Sequence, residues 1–135
     1  PVLHLDSGSF MEGRTFLQSV VIGWVCASVS EELLMRGLVQ TYLASLQVHG
    51  VSLIGVRISL PVFVAALLFG LMHIVILMSG ASGTFVTYIV SIAFIVGLVA
   101  GYYREKTGSL VPAIVIHFLT NVGGYGIGRL LEFFG

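Results

Sequence analysis

The residues equipped for chemistry fall into three short clusters, each set in apolar sequence. Glu31, Glu32 and Arg36 stand in EELLMR, Phe69 and His73 in FGLMH, and His117 and Asn121 in HFLTN. Each cluster repeats at a four-residue step, so on a helix its members share a face. Glu32 and Arg36 are in the favourable acid-first order and can pair along that face. Glu31 is turned about 100° from Glu32 and is left without that partner. A free carboxylate, two imidazoles and a carboxamide make up a set that could hydrolyse an amide. That reaction needs an activated water, a proton donor for the leaving amine and a stabiliser for the oxyanion. A carboxylate withdrawn from water becomes a better base near neutrality. An imidazole can shuttle protons, and an amide N–H can face an oxyanion. A covalent nucleophile is not indicated: no serine sits in G-x-S-x-G, and Cys26 has no partner at a telling spacing.

Each motif also has a plain structural reading. In a soluble helix, E-E-x-x-x-R is an ordinary solvated ion-pair face. Within a membrane-spanning helix the same charges are costly and usually functional. Either histidine alone could simply bond a backbone carbonyl, and Phe69 alone is a core or lipid-facing residue. His4 and His49 fall in loops and carry no weight.

Composition decides between these settings. The chain has 135 residues, one domain's worth, of which 57% are hydrophobic and 9% charged. A soluble domain carries about 25% charged residues, so this chain belongs in a bilayer. Six acidic and six basic residues balance, which argues against a nucleic-acid partner. The single cysteine excludes an internal disulfide.

The elements that must position the clusters follow from apolar length, a span needing about 20 residues. Ile58 to Met78, Thr84 to Tyr103 and Leu110 to about Phe133 each meet that length. A longer stretch from Phe16 to about Leu46 would reach roughly 45 Å as one helix. The turns are SGASG and REKTGS, and QVHGVSLIGVR reads as a longer loop. The expected architecture is an all-α, multi-pass bundle of about four spanning helices around a polar catalytic cavity inside the membrane. Residues 1–15 read as a loop or interfacial arm without a signal-peptide pattern, and 16–135 as the core domain of a longer membrane protein. Gly97 with Gly101, and Gly124 with Gly128, form G-x-x-x-G pairs expected to pack helices closely. The count of lysine and arginine in the turns places the Arg57 and Arg104 loops on the cytoplasmic side. Measured from the helix ends, Glu31, His73 and His117 fall in one broad layer, so they could share a pocket.

Taken together and in order, E-E-x-x-x-R, F-x-x-x-H and H-x-x-x-N on separate apolar helices resemble the CAAX-protease and bacteriocin-processing (Abi) family of intramembrane proteases, which includes the type II CAAX prenyl endopeptidases. The approach TGSLVPAIVIHF to the third motif has the look of bacterial members. The resemblance covers about residues 20 to 130. It implies peptide-bond hydrolysis in or at a bacterial cell membrane, on a membrane-bound protein or peptide substrate, prenylated or not. By this resemblance Glu31 activates water, His73 sits on the same water, and His117 with Asn121 stabilises the oxyanion. Glu32 and Arg36 support them, as does Phe69.

No cofactor is expected. The nearest rival keeps the reaction and adds zinc on His73, His117 and a glutamate, although no H-E-x-x-H is present. Other rivals are a proton or solute transporter, for which no internal repeat is visible, and a non-enzymatic immunity protein.

Overall fold

The structure is a computed structural model describing residues 16–134 except Ile54; side chains are described for residues 17–125 apart from Ser19 and Leu53. The expected arm at 1–15 lies outside the described residues. Among the described residues four main helices make up the fold. Helix α1 covers residues 16–42, α2 covers Leu60–Met72 and is prolonged by a 3₁₀ stretch His73–Ser79, α3 covers Gly83–Thr107, and α4 covers Val111–Phe134. The helix ends follow local chemistry. Ser59 caps α2 by accepting from the Val62 amide at 3.4 Å, with Pro61 in the first turn. Ser82 caps α3 through the Phe85 amide at 3.2 Å. Gly108 stops α3 in the left-handed conformation at φ 69°, a backbone state that glycine enters without steric cost.

The segment expected as a plain loop holds a small antiparallel hairpin, β1 (Gly50–Leu53) with β2 (Val56–Ser59), pairing Gly50 with Ser59 and Leu53 with Val56. The alternation V-S-L and V-R-I-S suits strands. Arg57 secures the hairpin by donating from Nη2 to the carbonyls of Gln47 and Val48 at 3.1 and 2.8 Å. Ser59 also donates to Glu105 Oε2 at 2.6 Å, fastening the start of α2 to the end of α3.

Helix α3 packs along α2 and α4, and α1 lies against α2 and α4. Beside Phe69, Val62, Met35 and a few polar side chains, much of what separates the helices is small: Ala65, Ala66, Ala93, Ala100, Ala113 and Gly97 are buried, whereas Leu38, Val75, Ile95 and Leu119 are more than half exposed. Large apolar side chains outside and small ones between helices is the arrangement expected in lipid, where close backbone approach replaces a hydrophobic drive. Leu60–Ser79 and Gly83–Thr107 are long and apolar enough to cross a membrane. The fold is therefore an all-α membrane helical protein.

Helix α1 is wound unusually. Two stretches, Ser19–Cys26 and Leu33–Val39, are π-helical, with an α-helical segment Ala27–Glu32 between them. The three charged residues of the first cluster straddle the second transition.

Candidate active site

One face of α1 carries Ser28, Glu32, Arg36 and Gln40 at an unbroken four-residue step, each 0–3% exposed. In a pure α-helix every four-residue step would drift about 40°, so this row would wander roughly 120° from end to end. A π-helix holds more residues per turn, and the π-helical winding from Leu33 onward turns the drift back. The row therefore stays straight and buried.

Each member of the row reaches across to another helix. Asn121 on α4 donates from Nδ2 to Ser28 Oγ at 3.2 Å. His117, one turn earlier on α4, places Nδ1 3.1 Å from Glu32 Oε1. Arg36 donates from Nη1 to that same Glu32 oxygen at 3.0 Å and from Nη2 to the Gly97 carbonyl at 3.0 Å. Gln40 donates from Nε2 to the Gly101 carbonyl at 3.0 Å. Two rungs tie α1 to α4 and two tie it to α3. The first glycine pair thus does more than pack helices: a Cβ on Gly97 would stand 2.9 Å from Ala66 Cα and 3.3 Å from Arg36 Nη2. Gly124, in the other pair, has nothing within 4 Å of that position, and Gly128 lies outside the described side chains.

Glu31 stands beside this row and differs from its neighbour. Its side chain is 25% exposed against 0% for Glu32. Its Oε2 lies 3.8 Å from His117 Nε2 and has no hydrogen-bond partner. The His117 ring therefore lies between the two glutamates, one at each nitrogen.

Phe69 organises the other side. Its ring meets His117 edge-on at 5.2 Å and His73 edge-on at 5.1 Å, and the Arg36 guanidinium lies 4.7 Å from its centroid. His73 stands where α2 tightens into the 3₁₀ stretch, and its Nδ1–H donates to the Phe69 carbonyl at 2.8 Å. Both histidines thus flank one aromatic ring, but His73 makes no hydrogen bond to Glu31. The imidazole nearest the Glu31 carboxylate is that of His117, not His73.

Residues 13–123 match the family model described as Type II CAAX prenyl endopeptidase Rce1-like. The chain belongs to the Rce1-like family. Its members are proteases and membrane proteins. No curated protein and no solved structure matches the chain. The match to the Rce1-like family takes in all three motif clusters.

The sequence reading did not assign Ser28, Gln40, Gly97 or Gly101 to the site. The signal was present: S-x-x-x-E-x-x-x-R-x-x-x-Q extends the Glu32–Arg36 step by one turn at each end. Glu32, expected to serve Arg36, also holds His117. Two surface grooves lie elsewhere, one lined by Leu67, Leu71, Val90, Ser91 and Phe94, the other by Leu38, Val39, Tyr42, Leu43, Val64 and Leu68. Neither contains a member of the cluster.

A zinc ion would need three protein donors converging on one point. Among the described residues no three His, Cys, Asp or Glu side chains are so grouped. Glu32 Oε1 is already shared between Arg36 and His117.

Proposed function

We propose that this chain is the catalytic core of an intramembrane endopeptidase, a multi-pass protein of a bacterial cell membrane that cleaves a membrane-associated or prenylated peptide. The observation that carries the reading is the placing of a partner-free glutamate oxygen on Glu31 3.8 Å from His117 Nε2, beside a row in which Ser28, Glu32, Arg36 and Gln40 each hold a hydrogen bond to another helix. A carboxylate left open at a buried polar site is what a water-activating base requires.

Glu31 takes a proton from water, whose oxygen attacks the scissile carbonyl. His73, with its Nδ1–H engaged, turns its other nitrogen to the same water. Asn121 uses one amide hydrogen on Ser28 and has a second for the oxyanion, and His117 faces that oxyanion from one turn away. The outward apolar faces of the helices contact lipid, and substrate enters from the bilayer or its surface.

The experiment is cleavage of a fluorogenic peptide by purified protein in liposomes, with prenylated and unprenylated versions side by side. Glu31→Gln should abolish turnover while leaving the protein folded, because a general base contributes roughly 10²–10⁴-fold. Glu31→Gln cleaving at the wild-type rate would sink the reading. Faster cleavage of the prenylated peptide would assign the substrate class.

A further inference from the structure

We propose that Glu32 is a positioning residue for His117. Its carboxylate keeps a proton on Nδ1, so that Nε2 is the working nitrogen and relays the water proton from Glu31 to the leaving amine. This rests on the peptidase reading above and adds a role that neither glutamate has in it.

The geometry carries the first half. Glu32 Oε1 receives Arg36 Nη1 at 3.0 Å and faces His117 Nδ1 at 3.1 Å. A carboxylate bonded to an arginine is ionised and only accepts. The hydrogen between Glu32 and His117 must therefore belong to Nδ1. The ring has little freedom to turn over, since its side chain is 7% exposed and its edge lies against Phe69. In the neutral ring Nε2 is then a bare lone pair, 3.8 Å from Glu31 Oε2.

The second half follows from that lone pair. A bare nitrogen cannot donate to an oxyanion, so His117 must gain a proton before it can stabilise one. Glu31 holds that proton once it has deprotonated water. The 3.8 Å gap exceeds hydrogen-bond range, and catalytic bonds commonly tighten from such lengths when substrate binds. Water gives one proton to Glu31 as its oxygen bonds to the carbonyl carbon. The proton passes to His117 Nε2, which now donates to the oxyanion. The C–N bond breaks with its electron pair going to nitrogen, and that nitrogen takes the proton from Nε2. Glu31 is again a carboxylate, His117 is again neutral, and one water has been added across one amide. His73 differs, because its Nδ1–H rests on the neutral Phe69 carbonyl.

The test is ¹⁵N NMR of histidine-labelled full-length protein in micelles, with the His117 signals assigned by His117→Asn. Wild-type protein should show the neutral His117 ring protonated on Nδ1 and bare on Nε2. In Glu32→Gln the side-chain amide can offer its own N–H to Nδ1, so the proton should move to Nε2. By analogy with removal of the carboxylate behind a catalytic imidazole in serine proteases, kcat should fall by up to about 10⁴-fold with KM little changed. Arg36→Lys separates positioning from mere support: it alters the geometry of the ion pair but keeps a cation on Glu32, so it should leave the His117 proton on Nδ1. A wild-type ring protonated on Nε2 would overturn the proposal, and so would folded Glu32→Gln with wild-type kcat. If Glu32→Gln does not fold, the wild-type spectrum decides. If no peptide is ever cleaved, the peptidase reading fails, and the spectra still show whether Glu32 sets the tautomer.

Discussion

Arg36 on α1 and Gly97 on α3 are joined by a hydrogen bond from Nη2 to the carbonyl oxygen at 3.0 Å. The missing side chain at Gly97 is what lets the guanidinium approach. Gly97→Ala would press a methyl group to 3.0 Å from the Ala66 methyl and 3.3 Å from Arg36 Nη2. Overpacking of this kind costs about 1–3 kcal/mol. Gly97→Ala should therefore lower the melting temperature in detergent. Gly124→Ala meets nothing and should be neutral, or stabilising by up to about 1 kcal/mol through helix propensity. Equal effects from the two substitutions would contradict the packing described.

Glu31 and Arg36 should separate cleanly when stability and turnover are measured on the same samples. Arg36→Ala leaves the fully buried Glu32 without its cation, a change that costs about 3–5 kcal/mol where a buried pair is broken. Its first consequence should be loss of folded protein. Glu31 Oε2 bonds to nothing in the fold, so Glu31→Gln should keep the wild-type melting temperature and lose cleavage. Glu31→Gln as unstable as Arg36→Ala would mean that Glu31 holds the fold instead of serving the reaction.

Asn121 and Ser28 give a graded pair. In the proposed mechanism Asn121 is an oxyanion donor, so Asn121→Ala should reduce kcat by about 10²–10³-fold. Ser28→Ala keeps the amide but frees it from its 3.2 Å tether, so its loss should be the smaller of the two. The reverse order would move the oxyanion site away from Asn121.

Cleavage should persist after exhaustive treatment with a strong chelator, since the donors around Glu31 and His117 do not group as zinc ligands. Stoichiometric zinc in active protein, together with activity lost to chelator and restored by the metal, would refute this.

Much of the architecture is readable without coordinates because apolar length and glycine or serine punctuation are local signals. The starts of α2 and α3 fall within two residues of the expected Ile58 and Thr84, whereas α3 runs four residues past the expected Tyr103, through Arg104–Thr107 of the expected turn, to its stop at Gly108. The Glu32–Arg36 pair is equally local, being one helical step. What spacing could not give is the rotation of one helix against another. His73 and His117 are alike in sequence terms, and only packing around Phe69 puts His117 beside Glu31. Gln40 and Ser28 do not stand out, because a lone amide or hydroxyl on an apolar helix is ordinary until its neighbours four residues away are counted. The hairpin at 50–59 was hidden for a different reason: four-residue strands are too short to stand out from a loop.

The mixed winding of α1 makes that helix a vernier. Its polar row stays in line only because two slightly different pitches, one before Leu33 and one after, cancel across the motif. Chain length between Ser28 and Gln40 is therefore as informative as side-chain identity. Deleting one leucine from the LeuLeu step at 33–34 would keep every polar residue in the protein. It would nevertheless swing Arg36 and Gln40 by roughly a quarter turn around the axis, away from Gly97 and Gly101, while Ser28 and Glu32 stayed at α4. For this helix the damaging lesion is a miscount, and a family-wide comparison should find substitutions along its lipid face but no change of length between the serine and the glutamine.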